Sequence, residues 1–195
     1  MARVILDEFV AKHEKALIYA GAHHSFTRYR QPIYDTKAKT VTGYRNRAGN
    51  IVYAKIGERA FNIYLHAPWF ASDDFDRFIQ PANGAVERIM GEAGLDRAAF
   101  DVRGAAIGSL ATGPSWYSHG RDTLTLGDFC DGYIYQGPLR SFEGVTVDPL
   151  FITPNNLAEA NQWLPNPRAR NETQAELVEN MRRDADWKWR FRDLK

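Results

Sequence analysis

A short apolar run that stops at a glycine constrains the fold of this chain more than any other feature. Residues 15–20, Lys-Ala-Leu-Ile-Tyr-Ala, are followed directly by Gly21. Strands of a parallel sheet are covered on both faces and lose the alternation of polar and apolar side chains. The run therefore predicts a buried strand, and the apolar stripe that precedes it predicts a helix over residues 2–14.

Further apolar runs alternate with stripes of helical spacing along the chain. The predicted strands cover residues 60–66, 100–103 and 133–136, and the predicted helices cover residues 44–56, 82–93 and 126–131. A polar, basic loop follows Gly21, and a long glycine-rich loop covers residues 104–120. Alternating strands and helices predict an α/β fold, with a mainly parallel sheet and helices on both of its faces.

The C-terminal part predicts a helical extension. Thr153 and Pro154 form a good N-terminal pair for a helix that reaches about residue 164, where prolines end it. A second apolar stripe predicts a helix over residues 171–191. We therefore expect an α/β domain over residues 1–150 and a helical segment over residues 151–195 packed on it.

Composition excludes several classes of function. The chain has 195 residues, a net charge of +1 and one cysteine, Cys130, which we expect in the core. Near-zero charge gives no general attraction to nucleic acid, and no apolar run approaches the ~20 residues that span a bilayer. The interleaved aromatic and basic residues 187–192 are typical of single-strand nucleic-acid surfaces, but at helical spacing they favour a docked helix. We expect a cytoplasmic protein without nucleic-acid or membrane partners.

Four of the five histidines follow predicted strands. They are His23, His24, His66 and His119. Ligands of parallel sheets bind at the carboxyl ends of the strands, and imidazole can bind a metal or move a proton near neutral pH. His24 and His66 are the candidate ligands of a divalent metal, with Asp73 and Asp74 nearby in sequence. The alternative is that these are loop histidines bonded to backbone and solvated loop acids.

A substrate with an anionic group is the second expectation. Arg28, Arg30 and His119 are the candidate substrate-binding residues, since guanidinium groups suit carboxylates and phosphates. The alternative is a solvated basic loop.

The order of Met1-Ala2, a helix, an apolar run and Gly21-Ala22-His23-His24 resembles a known clan. That clan joins erythromycin-esterase-like proteins, ChaN-like haem-binding-uptake proteins and Tiki/TraB-like proteins, and the match covers about the first quarter of the chain. The resemblance implies a metal-dependent, esterase-like hydrolase with His24 and His23 as catalytic residues, or haem binding. The clan also has an earlier strand with a Gly-Glu-x-His-like motif and an Arg/Asn/Asp motif before Met-Ala, which this chain lacks.

Three functions follow as expectations. The first is the C-terminal part of such a hydrolase, the second a non-catalytic ChaN-like module that binds haem or another ligand, and the third an inactive, truncated remnant. In the haem-binding reading, Tyr19, Tyr29 and Tyr117 are the candidate iron ligands. The expected partners are a small-molecule substrate or haem, and either a second copy of the chain or a missing N-terminal segment.

Overall fold

The structure is a computed structural model, and it describes residues 1–72, 77–121, 123–163, 170–192 and 194. The chain divides into two compact units, residues 1–139 and residues 140–195. Each unit has its own cluster of buried apolar side chains. Among the described residues, no helix has both the length and the apolar character that crossing a membrane requires.

The described part of the first unit contains short strands in three small sheets. The strands are β1 (Gln31–Asp35), β2 (Thr40–Arg45), β3 (Ile63–Leu65), β4 (Trp69–Phe70), β5 (Phe78–Ile79), β6 (Ala98–Asp101) and β7 (Gly132–Tyr135). β1 and β2 form an antiparallel hairpin, and β4 and β5 form a second antiparallel pair. The third sheet has the order β3-β7-β6, in which β3 runs parallel and β6 antiparallel to β7.

The predicted mainly parallel sheet with helices on both faces is therefore wrong. Residues 15–20, the predicted first strand, lie outside any strand and are exposed except for Ala20. Without that strand the predicted series of parallel crossovers loses its first member. Short connections also favour antiparallel pairing, because a parallel pair needs a crossover of a dozen or more residues.

A hairpin stands where the sequence predicted only a polar, basic loop. The Asp35 carboxylate accepts hydrogen bonds from the main-chain N–H groups of Lys37 and Ala38, at 2.8 and 2.9 Å. Lys39 then takes a left-handed conformation with φ of 51°. This local turn chemistry reverses the chain and brings β2 alongside β1.

The helices are mostly shorter than predicted. In the described residues they are α1 (Ala2–Ile5, continued by a π-helical turn over Leu6–Val10), α2 (Ala22–Ser25), α3 (Ala48–Ile56), α4 (Ala85–Glu92), α5 (Leu126–Phe129), α6 (Leu157–Gln162), α7 (Gln174–Ala185) and α8 (Trp187–Arg190). Short 3₁₀ turns lie at Gly57–Arg59, Pro81–Gly84, Ala106–Ser109, Trp116–Ser118 and Leu139–Ser141. α3 begins at Ala48 rather than Tyr44 because Tyr44 and Arg45 belong to β2.

Aromatic rings fill the centre of the first unit. The Phe129 ring lies 5.0–5.3 Å from five other rings, those of Phe26, Tyr29, Tyr64, Trp69 and Tyr117. All six side chains are buried. Aromatic pairs at such distances and tilts add to the stability that area burial provides. This cluster fixes the positions of the loops on either side of Tyr117, where the candidate site lies.

The second unit is a small helical assembly. Ile152, Leu177 and Val178 form its buried cluster. The predicted single helix over residues 171–191 is two helices, because the Asp186 side chain accepts hydrogen bonds from the N–H groups of Lys188 and Trp189 and so starts α8. The carboxylate satisfies amides that a helix start leaves unpaired.

Candidate functional site

A cavity of about 650 Å³ lies between the β1–β2 hairpin and the glycine-rich loop. Tyr34, Lys39 and Val41 line it from the hairpin side, and residues 111–114 and 118–121 line it from the loop. Its size falls in the range of sites for small molecules. Its described lining carries two cations, Lys39 and Arg121, and no acidic residue.

His119 is the one predicted site residue among the described lining residues. Its ring stacks on that of Tyr34, with centroids 3.8 Å apart and planes within 5°. Its Nε2–H donates a hydrogen bond to the Ser72 carbonyl at 2.8 Å. The other nitrogen, Nδ1, is buried without a hydrogen-bond partner among the described residues. A buried nitrogen without a hydrogen-bond partner costs free energy in the folded chain.

Arg121 is one of the two cationic residues that line the cavity. Its guanidinium lies 5.2 Å from the centroid of the Tyr29 ring and 5.7 Å from that of Tyr44. Arg30 also approaches the Tyr44 ring, at 5.5 Å. No carboxylate in the described part of the chain pairs with Arg121 or Arg30. Two guanidinium groups are thus held by aromatic faces, which orient them without consuming their N–H donors.

Backbone conformation brings the loop close to the hairpin. Gly120 has φ of 67°, and a Cβ atom at this position would lie 2.5 Å from a Val41 methyl group. Only glycine satisfies both the left-handed conformation and the close approach. Gly120 therefore allows the loop that carries His119 and Arg121 to lie close to the hairpin.

The other histidines of the predicted site lie elsewhere. His23 is half-buried among aromatic rings, and its Nε2 lies 3.1 Å from the Tyr117 hydroxyl oxygen. Burial lowers its pKa, and the charges of Arg47, His24 and Arg45 lower it further. The His24 side chain is exposed. No hydrogen bond, ion pair or ring contact in the described residues joins His24 to His66 or Arg28.

His66 is buried in a hydrogen-bonded group. Its Nδ1 lies 2.7 Å from the Tyr133 hydroxyl oxygen, and its Nε2 lies 3.2 Å from a Glu87 carboxylate oxygen that also accepts from the Leu139 N–H. Both ring nitrogens are therefore occupied, and a metal would have to displace a partner. The described residues contain no group of three or more His, Cys, Asp or Glu that could hold a metal ion. Asp73 and Asp74 lie outside the described residues, so their predicted role remains a prediction.

The predicted substrate-binding arginine Arg28 is part of a structural ion pair. Its guanidinium lies 2.5 Å from a carboxylate oxygen of Asp131, which is buried. The other Asp131 oxygen accepts from the Asn62 main-chain N–H at 2.8 Å. Arg103 approaches the same carboxylate at 3.4 Å. The Nη2 group of Arg28 thus serves the fold, while its Nε is buried without a hydrogen-bond partner among the described residues.

The candidate iron ligands differ in their surroundings, and their role stays a prediction. Tyr29 donates its hydroxyl hydrogen to the Tyr117 carbonyl, and burial raises the pKa of both Tyr29 and Tyr117. A tyrosine that ligates iron does so as a phenolate, which burial opposes. Tyr19 is 89% exposed.

We expect the free energy of unfolding of the first unit to decrease as the pH falls below 6.5, which is the ordinary pKa of a histidine side chain. Burial lowers the pKa of His66 and of His23 in the folded chain, so below pH 6.5 the unfolded chain binds more protons than the folded one. The stabilisation is complete above pH 6.5, and it is lost as the pH falls through the lowered pKa values that these histidines have in the folded chain. Urea unfolding at pH 7.5 and pH 5.0 measures this loss. His66→Gln is expected to reduce the pH dependence; an unchanged dependence in that variant would contradict the assignment.

Of the cavity residues, the sequence predicts only His119 as a site residue, and it does not single out Tyr34, Lys39 or Arg121. The one sequence signal was the glycine spacing of the loop, with Gly113 and Gly120 both in left-handed conformations. The partners of Arg121 come from distant parts of the chain, and no local pattern reports them.

Comparison with known proteins adds no relative. A scan against protein-family models finds no match, and searches of curated proteins and of solved structures find no similar protein. The resemblance to the erythromycin-esterase-like and ChaN-like clan therefore stays a prediction, as do the hydrolase and haem-binding functions that it implies.

Proposed function

We propose that this chain binds a small molecule carrying an oxyanion, either a carboxylate or a phosphate group, in the His119 cavity. The observation that carries this proposal is Arg121, a lining residue of the cavity whose guanidinium has no carboxylate partner among the described residues. A guanidinium presents its donors in a fork that matches the oxygens of both anions. Lys39 adds a second positive charge from the facing hairpin.

The remaining cavity walls suit the rest of such a ligand. The stacked rings of Tyr34 and His119 offer a flat surface. The hydroxyl of Ser118 and the backbone of residues 111–114 supply further polar groups. A bound anion would also relieve the repulsion between Arg121 and Arg30, which share the Tyr44 ring.

Replacement of Arg121 by glutamine tests the proposal. Inorganic phosphate and citrate serve as the two probes in calorimetric titrations at low salt, and together they separate phosphate from carboxylate preference. We expect Arg121→Gln to weaken binding of the preferred probe by about tenfold or more, because hydrogen bonds to charged groups contribute about 1.5–3 kcal/mol. Thermal unfolding checks that the variant folds, since loss of the contacts with two tyrosines costs about 0.5–1 kcal/mol each.

Two controls accompany this test. Arg88→Gln removes the same charge from an exposed position on α4 and is expected to leave binding unchanged. His24→Ala distinguishes the cavity from the site that the clan resemblance implies, and we expect it to retain binding. Equal losses in the Arg88 and Arg121 variants, or no binding of either probe by the native chain, would contradict the proposal.

A further inference from the structure

The segment 15–20 combines the composition of a strand with the exposure of a loop. The side chains of Leu17 and Tyr19 are 92% and 89% exposed, and Ile18 is 40% exposed. No main-chain hydrogen bond of these six residues is made to any described residue. The segment therefore presents free backbone donors and acceptors together with three large apolar side chains.

Such a segment is suited to pairing with another strand. Leucine, isoleucine and tyrosine side chains exposed side by side are unusual for a surface without a binding role. An extended peptide with free N–H and C=O groups can add to an open sheet edge, where main-chain hydrogen bonds supply affinity and alternate side chains supply specificity.

The same chain contains an open edge of matching character. β3 is the outer strand of the β3-β7-β6 sheet and pairs with β7 on one side. Two apolar side chains at this strand are exposed: Ile63 of β3 is 43% exposed, and the preceding Phe61 is 51% exposed. An exposed apolar edge is a template for a further strand.

We infer that segment 15–20 of one copy adds to the β3 edge of a second copy of this chain. Both halves of the interface are present on every molecule, so two copies can exchange segments reciprocally and close the assembly by two-fold symmetry. Residues 16–20 and 60–65 contain no charged side chain, so the pairing buries no charge. Each exchange covers Leu17 and Tyr19 on one copy together with Ile63 on the other.

The oligomeric state of the full chain tests this inference. Analytical ultracentrifugation over a range of concentrations is expected to show a monomer–dimer equilibrium. Hydrogen exchange is expected to show protection of the amides of residues 16–20, Ile63 and Leu65 that increases with protein concentration. Leu17→Lys is expected to raise the dimer dissociation constant by about tenfold or more, because the lysine charge would have to be buried.

Leu17→Lys is expected to leave the stability of the folded monomer unchanged, because the Leu17 side chain is already exposed. Leu150→Lys is the matched control, because Leu150 is 80% exposed in the second unit. This substitution is expected to leave dimerisation unchanged. Ile63→Lys changes the opposite face of the interface and is expected to act like Leu17→Lys. A monomer at all concentrations would overturn the inference, whether or not residues 16–20 are protected within it. So would a dimer that Leu17→Lys leaves intact, or aggregation without a defined stoichiometry.

Discussion

Phe129→Ala is expected to lower the free energy of unfolding of the first unit by about 3–5 kcal/mol. The phenyl ring is almost completely buried, and the centroids of five other aromatic rings lie 5.0–5.3 Å from its own centroid. Truncation removes the transfer free energy of the ring and leaves a cavity that five rigid neighbours cannot collapse to fill. Since domains are stable by only about 5–15 kcal/mol, such a loss brings the unit close to unfolding.

Chemical denaturation followed by tryptophan fluorescence measures this loss, because Trp69 lies within the same cluster. Phe151→Ala is the control, since this phenylalanine is exposed in the second unit and its removal is expected to change stability by less than about 0.5 kcal/mol. Phe129→Leu keeps most of the volume and is expected to lose less than Phe129→Ala. Similar small effects for Phe129→Ala and Phe151→Ala would show that the aromatic cluster is not the centre of the fold.

The sequence predicted where buried strands lie better than how they pair. The apolar runs at residues 60–66 and 133–136 correspond to β3 and β7, and β6 overlaps the run predicted at residues 100–103. The preference of such apolar runs for an extended, packed conformation resides in the residues of the run itself. Whether a neighbour runs parallel or antiparallel depends on the connection between strands, and the short turn at residues 36–39 was not recognised as a hairpin.

Residues 15–20 show the limit of reasoning from local composition. Their pattern is that of a strand covered on both faces, yet in the structure Leu17 and Tyr19 are 92% and 89% exposed. The apolar pattern shows that the segment can form a buried strand when a sheet edge is available to pair with it. Whether such an edge is available depends on residues outside the segment. This is why the same observation that failed as a prediction of the fold supports an intermolecular contact.

The candidate site was predictable only through His119. A histidine beside glycines in a loop is visible in the sequence, whereas the cation–π contacts that hold Arg121 join residues far apart along the chain. The sequence alone does not distinguish the role of Arg28 from that of Arg121. What separates them is that Asp131 lies beside Arg28, while no described carboxylate lies beside Arg121.

The difference between these two arginines leads to the second large expected effect. Asp131→Asn is expected to destabilise the first unit by about 3 kcal/mol, because it leaves Arg28 without its counter-charge in a partly buried position. The Asp131 side chain is 2% exposed, whereas Arg28 is 29% exposed. Partial hydration of Arg28 limits the loss to the lower end of the range of about 3–5 kcal/mol for broken buried pairs. Asp101→Asn, at an exposed position of β6, is the control and is expected to have little effect.

A double-mutant cycle separates this ion pair from the other contacts of Asp131. Arg28→Gln removes the partner and also leaves a buried carboxylate that retains Arg103 and the Asn62 N–H. If the pair acts as a unit, the double variant Arg28→Gln/Asp131→Asn is more stable than the sum of the single losses predicts, by about 1–3 kcal/mol. Urea unfolding of the four proteins at pH 7.5 measures the coupling. Additive losses would mean that Asp131 stabilises the fold through its main-chain contact with Asn62, and that the Arg28 side chain is then as available for a ligand as Arg121 is.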